Sequence, residues 1–132
     1  MWTGLPIDQQ SRRGKMPKKI LVVDNEFSSR RNIAFLLREH GFEVDEADDG
    51  LTALDLLDKK RFDLLICDVV MPRLSASDVV QQMKSSPTSA SVILITGHPD
   101  LLDEKTLGHL PCFTKPFNLY DLLREVKQVL RQ

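Results

Sequence analysis

The stretch LLICDVVMP, residues 64–72, runs apolar for four residues, meets Asp68, turns apolar again and stops at a proline. A carboxylate at the end of such a run is costly unless it is paired or put to use. Asp24 stands in the same relation to ILVV at 20–23 and is followed by Asn25 and Glu26. Thr96, with Gly97 and His98 behind it, follows VILI at 92–95, and Lys115, with Pro116 and Phe117, follows PCFT at 111–114. Singly these are ordinary residues, since aspartate is common in turns, threonine in strands and lysine on surfaces. Brought to one place they would assemble two carboxylates, a hydroxyl and an ammonium. Carboxylate and carbonyl oxygens suit a hard divalent cation such as Mg²⁺. A hydroxyl and an ammonium suit the oxygens of a transferring phosphoryl group. A carboxylate can itself be the nucleophile, giving an aspartyl phosphate, and positioning with charge neutralisation is most of what that transfer needs.

Whether they meet depends on the elements that carry them. ILVV, LLIC and VILI are short, continuous and rich in β-branched residues, the pattern of strands buried on both faces. FEVDEA at 42–47 alternates as an edge strand does, and PCFT at 111–114 is a weaker fifth strand. Between them lie helical patterns. SSRRNIAFLLREH places Ile33, Phe35, Leu36 and Leu37 on a broad apolar face, with Gly41 as the stop. LTALDLLDKK at 51–60 carries Leu51, Leu54 and Leu57 opposite its charges. SDVVQQMKSS at 77–86 has Ser77 as its expected N-cap and Pro87 beyond its end, and residues 99–107 make a shorter, poorer helix. The last helix opens on the cap Asn118 and repeats Leu119, Leu122, Leu123, Val126 and Leu130 at helical spacing. Strand and helix alternate five times, which predicts an α/β fold: a parallel sheet, doubly wound, with helices on both faces. In such folds the functional crevice lies at the carboxyl ends of the strands, where all four chemical groups stand.

At 132 residues the chain is sized for one compact domain, and its 42% hydrophobic and 28% charged content is ordinary for a globular protein. No stretch is apolar enough to span a bilayer and none resembles a secretory signal, so a cytoplasmic location without membrane contact is expected. Cys67 and Cys112 are too few for a disulfide framework, and each is expected as a small buried hydrophobe. The net charge of −1 conceals an asymmetry: residues 1–19 hold five basic residues against Asp8, leaving 13 basic and 18 acidic residues elsewhere. That body is unsuited to gripping nucleic acid directly. Residues 1–17 have no sustained periodicity and read as a flexible basic extension, with the folded domain at 18–132.

KKILVVDNE at 18–26, LLICDVVMP at 64–72, ILITGH at 93–98 and FTKPF at 113–117 together resemble the receiver domain of two-component response regulators, in order and over nearly the whole folded part. The resemblance implies a flavodoxin-like five-stranded sheet in the order 2-1-3-4-5. It implies that Asp68 accepts a phosphoryl group from a histidine kinase or phosphotransfer protein. Mg²⁺ would be held by Asp24, Asn25, Asp68 and the backbone carbonyl of Val70. Thr96 and Lys115 would each engage a phosphoryl oxygen, and Lys115–Pro116 resembles the family's cis peptide. The protein would then be a phospho-switch rather than a true enzyme, passing its signal to a downstream effector protein or a fused output domain through a protein-interaction face.

The departures from the family pattern carry their own expectations. Asn25 replaces a second acid, which predicts weaker Mg²⁺ binding. Cys112 stands where an aromatic usually follows the threonine's movement, and Phe113, one residue on, belongs to the opposite face. Ala76 replaces a loop glycine, so that turn must avoid the left-handed conformation or accept strain. The segment between Thr96 and Lys115 is about one helical turn shorter than usual, implying a truncated fourth helix. Val70 cannot orient a hydrolytic water, which predicts a persistent phosphoryl group, and His98 reads as a loop residue. These departures favour an alternative, a degenerate receiver acting as a phosphorylation-independent binding module. An aspartyl-phosphate phosphatase would want an acid where Val70 stands. The chain reads either as a stand-alone regulator or as a receiver taken from a longer protein.

Overall fold

A computed structural model describes residues 16–84 and 90–131. Five strands, β1 (Lys19–Val23), β2 (Glu43–Ala47), β3 (Leu64–Asp68), β4 (Ser91–Thr96) and β5 (Cys112–Thr114), form one sheet. Its order is β2-β1-β3-β4-β5 and every neighbouring pair is parallel. The helices are α1 (Phe27–Glu39), α2 (Gly50–Lys59), α3 (Ala76–Lys84), α4 (Glu104–Leu107) and α5 (Leu119–Leu130), with a 3₁₀ turn at Pro99–Leu101. The expected architecture and strand order are those observed. Most of the expected basic extension, residues 1–15, lies outside the described residues, as does the end of the third helical pattern with Pro87.

Alternation along the strands splits the core into two layers. Leu21, Val23, Leu65, Cys67, Val92 and Leu94 face α2, α3 and the buried Leu107 of α4. Ile20, Val22, Leu64, Ile66, Ile93 and Ile95 face α1 and α5. All five residues of β3 are buried, which is why its sequence is continuously apolar rather than alternating. The edge strand β2 is only partly buried. On α5, Leu122, Leu123, Val126 and Leu130 are buried, each worth about 2 kcal/mol of transfer free energy.

Several local expectations are corrected. On α1 the buried face is Ile33, Ala34 and Leu37, while Phe35 is 64% exposed. At 100° per residue Phe35 lies on the far side from Ile33, and the small Ala34 lets the helix close on the sheet. On α2, Ala53 and Leu57 are buried and Leu51 is exposed. The cap of α3 is Ser75 rather than Ser77. The Ser75 hydroxyl accepts from the Asp78 N–H at 3.3 Å, and the Asp78 carboxylate accepts from the Ser75 N–H at 3.4 Å, a reciprocal box. Asn118 caps α5 as expected, accepting from the Tyr120 N–H at 2.8 Å, and Gly41 ends α1 at φ 89°. Cys67 is buried but Cys112 is exposed. Its strand is an edge, and the four-residue α4 is too short to cover it.

Candidate functional site

The parallel strands all point their carboxyl ends the same way, and the chemistry-bearing residues meet there. Asp24 follows β1 directly and is completely buried; its N–H donates to the Ala47 carbonyl at 3.1 Å, prolonging the ladder with β2. Asp68 is the last residue of β3 and is 6% exposed. Lys115, one residue past β5, is anchored by its N–H donating to the Thr96 carbonyl at 2.7 Å. Its ammonium lies between the two acids, donating to Asp24 Oδ2 at 2.8 Å and Asp68 Oδ2 at 2.9 Å. The exposed Glu26 lies at 3.4 Å from the same nitrogen. The Lys115–Pro116 peptide is cis, as the resemblance implied.

The remaining carboxylate oxygens are held by backbone. Asp24 Oδ1 accepts from the Glu26 N–H at 2.9 Å, and Asp68 Oδ1 accepts from the Val70 N–H at 3.1 Å. Burial pushes the Asp68 carboxyl above its ordinary range, against the opposing pull of Lys115 and the Val70 N–H. Burial also opposes the charge on Lys115, but its hydrogen bonds to Asp24 and Asp68 prevail and push its pKa up to about 12. Burial raises the Cys67 thiol, with the charges of Asp68 and Asp24 adding to it, so this cysteine is inert packing.

Thr96 is buried, and its hydroxyl accepts from the His98 N–H at 2.9 Å, turning the side chain onto its own loop. Asn25 is exposed beside Asp24, and Val70 is 40% exposed on the loop after β3. Phe113 is half-buried on the α1–α5 side, its ring 5.8 Å from that of Phe117, so it does face away from Thr96 and Cys112. Arg30 is the residue that sequence reasoning missed. Its Nη1 donates to the Asp24 carbonyl at 2.9 Å and its Nε to Glu46 at 3.2 Å, tying α1 and β2 to the pocket. Its place on the first turn of a helix that begins right after Asp24 was the signal available.

Among the described residues, no three His, Cys, Asp or Glu side chains cluster closely enough to hold a metal. The oxygens present are those of Asp24, Asp68, the Asn25 amide and the Val70 carbonyl. They fit a hard cation in kind, and two buried carboxylates already converge on one positive charge.

Fold and site together define a doubly wound α/β protein with a lysine-bridged acidic pocket at its strand ends. The family described as "Response regulator receiver domain" matches residues 20–127. Response regulator MprA of Mycobacterium sp. (strain KMS) is 35% identical over 124 residues, covering 89% of this chain and 52% of that protein. The chain thus spans about half the length of the mycobacterial relatives it matches. Sporulation initiation phosphotransferase F of Bacillus subtilis (strain 168) is 33% identical over 118 residues, 87% of this chain and 95% of that protein. Among solved structures, the response regulator TrrA of Thermotoga maritima, in complex with Mg²⁺–BeF, superposes with a TM-score of 0.73 at 31% identity. That match covers 85% of this chain and 98% of the other. The chain belongs to the response regulator receiver domain family. No described helix is long and apolar enough to cross a membrane.

Proposed function

We propose that residues 18–132 form a receiver domain that accepts a phosphoryl group on Asp68 and uses the modification to switch a protein-interaction face. Residues 1–17 are read as a basic extension to it, and the whole as cytoplasmic. Phosphoryl acceptance is the general role of the family. The observation that carries it to this chain is the Lys115 ammonium seated between Asp24 and Asp68 at the strand ends. Asp68 is the nucleophile: a carboxylate oxygen forms the new bond to phosphorus as the bond to the donor's histidine nitrogen breaks. Its oxygens are aimed by the Val70 N–H and Lys115. Lys115 then turns from holding two carboxylates to holding one carboxylate and a phosphoryl oxygen. Thr96, whose hydroxyl oxygen accepts from the His98 N–H, donates its O–H to a second phosphoryl oxygen.

Asp24, Asn25, Asp68 and the Val70 carbonyl would hold Mg²⁺, which supplies charge neutralisation to the incoming phosphoryl oxygens. The donor is a histidine kinase or phosphotransfer protein, and the recipient of the signal is an effector protein or a fused output domain. Direct contact with nucleic acid or membrane forms no part of this reading. The chain acts as a phosphoacceptor that assists its own transfer rather than as a turnover enzyme.

A second reading, a binding module independent of phosphorylation, is favoured by the exposed Cys112 and the four-residue α4, which alter the usual relay. Intact mass after incubation with acetyl phosphate, with and without Mg²⁺, separates the two. The switch predicts a Mg²⁺-dependent gain of one phosphoryl group that Asp68→Asn abolishes. A folded protein that gains nothing, beside a receiver that labels in parallel, supports the module.

A further inference from the structure

Away from the acidic pocket, the loop that leaves Asp68 is tied to the start of α2. Residues 69–75 leave β3 and return into α3. The Ala76 N–H reaches the Val69 carbonyl at 3.5 Å, and the Leu74 N–H donates to the Pro72 carbonyl at 2.9 Å. Between them Arg73 adopts φ 74°, the left-handed region that a side chain with a Cβ enters at a cost. The strain that Ala76 could have carried is therefore borne by Arg73, because Ala76 is already the first, buried residue of α3.

Two contacts hold that tip. Arg73 Nη2 donates to Asp49 Oδ2 at 2.7 Å, while Asp49 Oδ1 accepts from the Thr52 N–H at 2.8 Å and caps α2. One carboxylate thus fixes the helix start and the loop together. Beside it the backbone of Leu74 lies on Gly50. A Cβ on Gly50 would stand 2.6 Å from Leu74 Cβ and 2.7 Å from its carbonyl oxygen, so only glycine admits the approach. The same loop carries Val70, whose N–H donates to Asp68 Oδ1. Ladder bonding from β3 continues only as far as the Val69 N–H, which donates to the Ile95 carbonyl at 2.9 Å. Beyond Val69 the loop is held by the half-buried Met71 and Leu74, by the Ser75–Asp78 box at its far end and by the clamp at its tip.

We infer that Asp49, Gly50 and Arg73 are positioning residues: they clamp the loop after β3 so that Val70 faces Asp68, and thereby set the affinity of the pocket for a divalent cation. This rests on the reading of Asp68 and Val70 as cation ligands. Groups that orient a ligand from behind commonly change metal affinity by about tenfold or more when removed.

The test compares wild type with Arg73→Gln, Gly50→Ala and the conservative Arg73→Lys. Arg124→Gln, which breaks an exposed pair with Asp121 on α5, is the control. Two quantities are read: Mg²⁺ affinity by titration calorimetry, and amide hydrogen exchange of residues 69–76 in metal-free protein. Arg73→Gln and Gly50→Ala are expected to weaken Mg²⁺ binding by about tenfold and to speed exchange at Val70 and Ala76. Arg73→Lys should stay near wild type and Arg124→Gln should match it. Because Arg73 is more than half exposed, Arg73→Gln folds even if Gly50→Ala does not. Wild-type affinity and exchange in Arg73→Gln overturn the clamp. A wild type that binds no Mg²⁺ in the millimolar range overturns the reading of the pocket and the cation role with it. That failure is distinguishable because the parent protein alone reveals it.

Discussion

At the scale of single residues, the pocket sets a buried carboxylate that works against stability beside a lysine that works for it. Asp24 and Asp68 are buried carboxylates that repel one another, and Lys115 is what makes them tolerable together. A lysine pKa raised on folding contributes stability that is complete below its unfolded value of 10.5 and is lost as pH climbs through about 12. An aspartate raised on folding acts in the opposite sense. The folded Asp68 holds its proton more tightly than the unfolded, so its contribution falls as pH rises from 3.8 through the raised value. Asp68→Asn removes that loss. In urea unfolding with chelator present, it should be more stable than the parent at neutral pH, with the gap closing in acid. A less stable variant at neutral pH would contradict the assignment. Lys115→Met, by contrast, strands two buried carboxylates and should cost about 3 kcal/mol at neutral pH, less in acid where Asp68 takes up its proton. Asn25 belongs to the same accounting. Asn25→Asp restores a negative charge beside Asp24 and should tighten Mg²⁺ binding in a calorimetric titration. Equal affinity in the two proteins would show that the amide oxygen already suffices.

At the scale of elements, what was legible in the sequence is what burial on both faces writes there. ILVV, LLIC and VILI could only be central strands, and a charged or hydroxyl residue ending each run marked the crevice. Caps and helix faces were less legible because several nearby residues compete for the same role. Ser75 and Ser77 are both good caps, and only the return path of the loop decides that Ser75 meets Asp78. Ser75→Ala should therefore cost about 1 kcal/mol in chemical denaturation, while Ser77→Ala costs a few tenths. The reverse order would restore the sequence-based assignment. Cys112 was misjudged for a tertiary reason: a short apolar run implies burial only when something covers it. Here β5 is an edge strand beside a four-residue helix. Its exposed thiol should label with an aromatic disulfide reagent in the native protein, though slowly, since partial burial and the charges of Asp68 and Glu104 raise its pKa. Cys67 should label only on unfolding. The clamp at Arg73 was illegible because it joins residues twenty-four positions apart through a contact that no local pattern encodes, and Arg30 offered only its place on the first turn of α1.

At the scale of the whole molecule, the question is whether this receiver still has two states to choose between. A switch requires the modified pocket to stabilise one arrangement of the α4–β5–α5 face over another; equal affinity for both arrangements would shift nothing. Here the face is reduced: α4 has four residues, and position 112 offers a thiol rather than a ring to follow Thr96. On the proposed reading the route that remains would run through Thr96, whose carbonyl accepts the Lys115 N–H at 2.7 Å and whose hydroxyl accepts the His98 N–H at 2.9 Å. Drawing the Thr96 hydroxyl toward a phosphoryl oxygen would pull on its bond with the His98 N–H, and through it on the 3₁₀ turn at Pro99–Leu101 that leads into α4. Beryllofluoride with Mg²⁺ mimics the phosphoryl group without turnover. A ligand at a hundredfold excess over its dissociation constant stabilises the folded state by about 2.7 kcal/mol. For a domain of this size that shifts the melting temperature by roughly 10 °C. The expected result is such a rise in wild type and none in Asp68→Asn. Amide exchange should change at residues 97–102 as well as around Asp68. A rise in melting temperature with exchange altered only at the pocket would mean that the site is live but uncoupled. The absence of any rise would leave the unmodified surface as the functional one.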